Sequence, residues 1–271
     1  MQKYSVLMAV YKKDSPEYFA VALDSMINQT YPADEIVIVK DGPITPELQA
    51  VIDARSGGAV AINEVALAEN QGVGVARNEG LKVCRNEFVA VMDSDDYSLP
   101  ERCELQLKEF EKNPSLDIIG SPVKEFVGTM DNIVAERTVP ITNDEIYKFA
   151  NYRDPFNHPT VMYKKSTVIK SGGYGSYRRN IDTDLWVRLL HDGAICKNFS
   201  EALVLFRFDE GAYQRRRTWE CTKSLIEVKY KAWRYGVSSL MGFLSVSVVQ
   251  VGVFILPLGF QKFLYQRFLR K

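Results

Sequence analysis

The sequence predicts an α/β fold: a mostly parallel central sheet with helices on both faces, plus a C-terminal helical extension. Three observations predict it. Apolar runs at 6–10, 36–39 and 88–92 are short and unbroken, so they read as strands buried on both faces rather than as helices. Segments with helical periodicity separate them, the order that builds parallel strands joined by crossover helices. The composition then changes after Gly211, where clustered Arg and Lys precede a long uncharged stretch.

The 271 residues, 46% of them hydrophobic, suffice for a sizeable core, and the zero formal net charge argues against nucleic acid as a partner. In chain order, residues 5–10 form the first strand. Asp14-Ser15-Pro16-Glu17 starts a helix, with Phe19, Ala22, Leu23, Met26 and Ile27 on one face. Tyr31-Pro32 ends it. Residues 35–39 form the second strand, closed by Lys40-Asp41-Gly42-Pro43. A short helix follows over 46–54, a weaker third strand over 59–65, and a glycine-rich loop at 70–80 that runs into a helix. The strand at 88–92 precedes a helix over 99–113. Beyond Asn113 the pattern loosens: a strand at 118–120, hairpin or loop at 122–140, a strand at 160–163 and a helix over 182–191. Leu185, Trp186, Leu189 and Leu190 mark the buried stripe of that last helix.

The chemistry concentrates where apolar strands stop. Phe88-Val89-Ala90-Val91-Met92 ends abruptly in Asp93-Ser94-Asp95-Asp96, and ligands of open α/β sheets bind beyond such strand ends. An extended chain past Met92 would send Asp93 and Asp95 to the same side. Two carboxylates that close repel unless a cation sits between them, and oxygen-only ligands suit Mg²⁺ or Mn²⁺. Asp96 or Ser98 could instead cap the next helix, but a cap uses one carboxylate and three are present. The P-loop string G-x-x-x-x-G-K-[ST] is absent.

Asp41 is either turn chemistry or a ligand contact at a strand end. Gly72 and Gly74 let backbone N–H groups approach a phosphate, and Arg77 adds charge; Arg77 also occupies the third-glycine position, so the dinucleotide fingerprint fails. Asp182 and Asp184 either complement a helix dipole or supply a general base at Asp182, preceded by a flexible Gly172-Gly173-Tyr174-Gly175 segment. His158, in a Pro-rich turn, is structural or part of the site; His191 completes a helix end. The four cysteines lie far apart without C-x-x-C, which fits a reducing compartment, and Met1-Gln2-Lys3-Tyr4 lacks signal-peptide character.

Taken in order, the residue 5–11 strand and turn, Asp41, residues 70–80, Asp93-Ser94-Asp95, His158 and Asp182-Thr183-Asp184-Leu185-Trp186 resemble family 2 glycosyltransferases. The likeness is to bacterial enzymes of O-antigen, capsule or exopolysaccharide synthesis, especially the amylovoran type, and spans about residues 3–210. It implies a Rossmann-like GT-A fold with a catalytic domain at 1–210 (nucleotide-sugar half 1–115, acceptor half 116–210) and a basic, apolar helical region at 211–271. It also implies roles. Tyr11 and Asp41 would hold the nucleotide base, Arg77 the diphosphate, Asp93 the ribose or metal, and Asp95 the Mn²⁺ or Mg²⁺. Asp182 would be the catalytic base, with His158, Asp96, Asp184 and Trp186 at the sugar or acceptor site. Asp182 and Asp95 should then face a shared cavity. Lys40-Asp41 and Ile181-Asp182 stand where the family commonly has Asp-Asp and Glu-Asp. The processive motif Gln-x-x-Arg-Trp is missed by one residue at 214–219, so one sugar per encounter is expected.

The implied reaction is an inverting transfer of a hexose from a UDP-sugar to a lipid-linked acceptor. The competing readings are a sugar nucleotidyltransferase and a non-catalytic membrane-associated sugar-binding relative. Basic residues flank an uncharged stretch at 235–261, which is long enough to span a bilayer but holds Ser238, Ser239, Ser245, Ser247, Gln250 and Pro257. With both flanks basic, an in-plane or re-entrant helical region is expected at the cytoplasmic face of the inner membrane; a soluble extension is the alternative.

Overall fold

A computed structural model describes residues 2–208 and 218–255. Its centre is a seven-stranded sheet in the order β10-β6-β9-β4-β1-β2-β3. The strands are β1 (Tyr4–Val10), β2 (Glu35–Lys40), β3 (Ala61–Ala66), β4 (Phe88–Met92), β6 (Ile118–Gly120), β9 (Met162–Lys164) and β10 (Cys196–Asn198). All neighbours run parallel except β9, which is antiparallel to both β4 and β6.

The central strands are buried on both faces, as their unbroken apolar runs predict. Val6, Met8 and Val10 of β1, Ile36 and Ile38 of β2, and Phe88, Ala90 and Met92 of β4 pack in one core. Helices α1 (Pro16–Ile27), α2 (Pro46–Asp53) and α4 (Arg102–Lys112) cover that face. The alternate residues Leu7, Val37, Val39, Val89 and Val91 enter a second core under α3 (Val73–Val83), α5 (Asn143–Ala150), α6 (Lys165–Lys170) and α7 (Ile181–His191). Each fully buried Leu, Ile or Val is worth about 1.5–3 kcal/mol against exposure, so both faces fix the register. Gly80 of α3 marks how closely helix and sheet approach, since a Cβ there would lie 2.3 Å from a Leu7 methyl and 2.7 Å from a Val39 methyl.

A second sheet runs β5 (Tyr97–Ser98), β11 (Val204–Arg207), β7 (Val123–Phe126) and β8 (Ile133–Arg137). Strands β7 and β8 are the hairpin expected at 122–140, and the pairing of β7 with β11 and of β11 with β5 is not legible in the sequence. This sheet redirects the chain beyond β4. The backbone does not stay extended past Met92: it turns at Ser94-Asp95 and enters β5, paired with β11. Neither Asp96 nor Ser98 caps α4, which starts at Arg102, because Leu99 donates its N–H to the Leu203 carbonyl and Pro100 accepts from Thr30. Helix α5 was also missed, although Thr142 and Glu145 form a reciprocal capping box legible in the sequence.

The C-terminal described residues form α8 (Trp219–Arg234) and α9 (Leu240–Ile255), packed on each other through Tyr230, Trp233 and Phe243. Helix α8 packs on α7 through Val187, Val228 and Ala232. Among the described residues no helix is long and apolar enough to cross a membrane. The basic clusters at 215–217 and 262–271, and most of the motif at 214–219, lie outside the described residues.

Candidate active site

Two cavities open at the carboxyl ends of the central strands. One, of about 480 Å³, is lined by Tyr11, Asp14, Asp41, Arg77, Asp93 and Asp95, among others. The second, of about 530 Å³, is lined by His158, Asp182, Arg153, Lys229 and their neighbours. Asp93 and Arg179 line both. Asp95 and Asp182 therefore belong to adjoining cavities joined at these two residues, rather than to one shared cavity.

In the first cavity Asp41 follows β2 and is buried. Its carboxylate accepts from the N–H groups of Gln71 (2.8 Å) and Gly72 (3.1 Å) and from Asn70 Nδ2 (2.9 Å). It ties the glycine-rich loop to the strand end. Gly42 completes that junction, with φ +84° and a Cβ position 2.7 Å from the Asn70 nitrogen. Arg77, on α3, donates to Asp93 Oδ1 at 2.6 Å and lies over the Tyr174 ring. Tyr11 is exposed at the cavity rim.

Asp93 leads into the second cavity. His158 Nδ1 is 3.9 Å from Asp93 Oδ1 without a hydrogen bond, and its Nε2 meets the Tyr174 hydroxyl at 3.1 Å. Burial, aided by Arg77 and Arg102, holds the His158 pKa well below its ordinary value, so the ring is neutral. The glycine segment expected to be flexible is tied down, since Asn78 bonds both the N–H and the carbonyl of Tyr174.

Asp182 lies in the first turn of α7 and lines the second cavity. The turn is set by Asn180, left-handed at φ 55°, whose Nδ2 donates to the Cys221 carbonyl and to Ser224 Oγ at 2.6 Å. Three residues expected at the acceptor site line neither cavity. Asp184 is buried and spent on Arg188 and Lys231. Trp186 packs beneath His158 and Phe156. Asp96 accepts from the Arg207 N–H.

The sequence reading also missed two residues that support the site from outside the cavities. Arg207 binds the Asp95 carbonyl and the Asp96 carboxylate, fixing the turn after β4. Arg102 is fully buried and donates to the Val91 and Val161 carbonyls beneath it. Only the chain's return through β11 and β9 brings these groups together, and no local signal marks them.

The oxygen donors suit a hard divalent cation. Burial and the charges of Asp93 and Asp14 raise the Asp95 pKa, and burial, with a smaller push from Asp93, raises that of Asp14 to about 6 against the hydrogen bonds from Tyr11 and Ser94. Asp96 Oδ2 is buried without a hydrogen-bond partner among the described residues. Such crowding is what a cation would relieve. Among the described residues no three His, Cys, Asp or Glu side chains are grouped closely enough to cage a metal.

The fold is α/β with a GT-A-like mixed sheet. The chain belongs to glycosyl transferase family 2, whose sequence model matches residues 5–186. It is 39% identical to an uncharacterized glycosyltransferase of Haemophilus influenzae, over 99% of this chain and 100% of that one. It is 35% identical to the UDP-Gal:alpha-D-GlcNAc-diphosphoundecaprenol beta-1,3-galactosyltransferase of Escherichia coli, over 99% of this chain and 97% of that one. To the amylovoran biosynthesis glycosyltransferase AmsE of Erwinia amylovora it is 34% identical, over 83% and 84%. Among solved structures, S. aureus TarS 1–349 in complex with UDP-GlcNAc superposes with a TM-score of 0.69 at 19% identity, covering 98% of this chain and 73% of that one. The Pyrobaculum calidifontis mannosyltransferase with GDP-Man and Mn²⁺ gives 0.65 at 15%, covering 98% and 79%. At these identities the structural likeness concerns the fold. The nucleotidyltransferase and non-catalytic readings fall with the family assignment.

Proposed function

We propose that the protein moves a hexose, with inversion, from a UDP-sugar to a lipid-linked saccharide in bacterial surface polysaccharide synthesis, and that it works at the cytoplasmic face of the inner membrane. The observation that carries this reading is the meeting of the two cavities at Asp93 and Arg179. One holds the carboxylates and Arg77 suited to a nucleoside diphosphate; the other holds Asp182 where an acceptor hydroxyl would enter. The printed activity of the Escherichia coli relative supports UDP-galactose and a lipid-diphosphate N-acetylglucosamine as the substrates to test first.

Asp182 takes the proton of the attacking hydroxyl at its carboxylate. Arg77 steadies Asp93 and, with Arg179, adds positive charge beside the donor diphosphate. Asp41 holds the glycine-rich loop as the wall of the base pocket. Asp95 and Asp93 would hold Mn²⁺ or Mg²⁺, which supplies Lewis-acid charge to the leaving UDP.

The test is UDP release by purified protein, with UDP-sugars screened against a lipid-linked acceptor at fixed Mn²⁺. Asp182→Asn should lower kcat by about 10²–10⁴-fold and leave UDP affinity intact. Normal turnover by Asp182→Asn would remove the base assignment, and undiminished turnover in chelator would remove the metal.

The exposed apolar residues of α9, namely Met241, Leu244, Val248, Val249 and Ile255, support an in-plane attachment to the membrane surface. Exposed Arg234 of α8, and Lys223 in a long 3.8 Å ion pair with Glu227, would face anionic headgroups.

A further inference from the structure

The Asp182 cavity does not end at the acceptor hydroxyl. Lys229 of α8 lines it and is 3% exposed. Among the described residues its ammonium makes one long hydrogen bond, 3.4 Å to the Ala150 carbonyl. Burial pushes its pKa down, and the charge of Asp154 opposes that shift. Asp154 is itself engaged by the Thr183 hydroxyl at 2.8 Å. A desolvated cation so thinly partnered gains more from an anion than an exposed lysine does. Arg153, exposed and stacked on Phe149, lines the same cavity.

Arg153 also lines a third cavity, a mostly apolar groove of about 640 Å³. The groove shares Val139, Phe149 and Tyr152 with the Asp182 cavity and continues over Pro140 and Ile141. Its α5 wall abuts the start of α9, where Asn151 Oδ1 accepts from the Ser239 N–H at 2.7 Å. A chain leaving the groove on that side emerges beside the exposed apolar face of α9.

We propose that Lys229 and Arg153 bind the diphosphate of the acceptor's lipid carrier, and that the Val139–Phe149–Tyr152 groove takes the first segment of its hydrocarbon chain. The assignment rests on the acceptor reading above and names the subsite within it. One cation shared by the polar and the apolar cavity, Arg153, with a second, Lys229, buried in the polar one, matches a ligand whose charge joins a sugar to a chain. A free phosphate would use the cations and leave the groove idle.

Calorimetry with undecyl diphosphate in the presence of saturating UDP tests the subsite without turnover. Wild type should bind undecyl diphosphate at least tenfold more tightly than inorganic pyrophosphate. Lys229→Met should lose at least tenfold of that affinity and Lys229→Arg much less, while UDP affinity stays within twofold. Arg153→Gln, an exposed change, repeats the test if Lys229→Met does not fold. Phe149→Ser should reduce the preference for undecyl diphosphate over pyrophosphate. In turnover, Lys229→Met should raise KM for an N-acetylglucosaminyl diphosphate undecyl acceptor at least tenfold more than KM for the neutral undecyl glycoside. Equal binding by wild type and both cation variants would overturn the proposal, as would pyrophosphate binding as tightly as undecyl diphosphate. If no UDP-sugar is turned over, the transfer reading fails, and the binding comparison still decides the subsite.

Discussion

Asn180 carries more consequence than its size suggests. A left-handed non-glycine residue costs about 1–3 kcal/mol unless its surroundings repay it, and asparagine tolerates that region better than most residues. Here α8 repays it through Cys221 and Ser224, and the residue sits two positions before the proposed base. Asn180→Gly keeps the backbone and loses the two side-chain bonds; Asn180→Ala loses both. The melting temperature should therefore fall in the order wild type, Gly, Ala, with kcat falling in the same order. An alanine variant as stable and active as wild type would show that the α8 contact does not hold this turn.

At the scale of an element, β2 begins on a buried carboxylate. Glu35 is fully buried and accepts from the Ser5 hydroxyl, the Arg85 N–H and guanidinium, and Asn63. Burial raises its pKa, but these bonds together outweigh burial and leave it below the ordinary glutamate value. Its stabilisation is therefore complete above the unfolded pKa and is lost as pH falls through the lowered folded value. Glu35→Gln turns an amide donor toward other donors and should cost about 2–3 kcal/mol at neutral pH. Urea melts at several pH values should show a shallower loss of stability on acidification than wild type. At the other end of the chain, α9 exposes its apolar face. Leu244→Asp with Val248→Asp should abolish co-flotation with vesicles containing anionic lipid while circular dichroism stays native. Unchanged flotation would remove α9 from the membrane contact.

For the molecule as a whole, α8 and α9 are walls of the site. Cys221, Leu225, Lys229 and Val246 line the Asp182 cavity, and Lys231 neutralises buried Asp184. A chain ended at residue 210 would lose these together with the partners of Asn180. It should melt at least 10 °C lower and have no measurable transferase activity; an active, stable fragment would make the helix pair an appendage.

Much of the first half was legible because it is local. Unbroken apolar runs gave β1, β2 and β4, and Ser15-Pro16 and Thr45-Pro46 cap and start helices as isolated sequence would. Carboxylates at the ends of such strands pointed to the site. What failed was non-local. A three-residue strand such as β10 has no period to read, and the antiparallel direction of β9, the strand expected near 160–163, depends on its neighbours. The turn after β4 depends on pairing with β11, more than 100 residues later.

The sequence by itself determined the sheet's core strands, the acidic rim and Asp182 at a helix start, since burial periodicity and strand-end chemistry act over a few residues. Tertiary structure alone decided that Asp184 and Trp186 support rather than line the site, that Asp41 clamps a loop, and that α8 brings Lys229 to the Asp182 cavity. Those outcomes depend on which distant charges and carbonyls meet once the chain is packed, and no short window of sequence contains both partners.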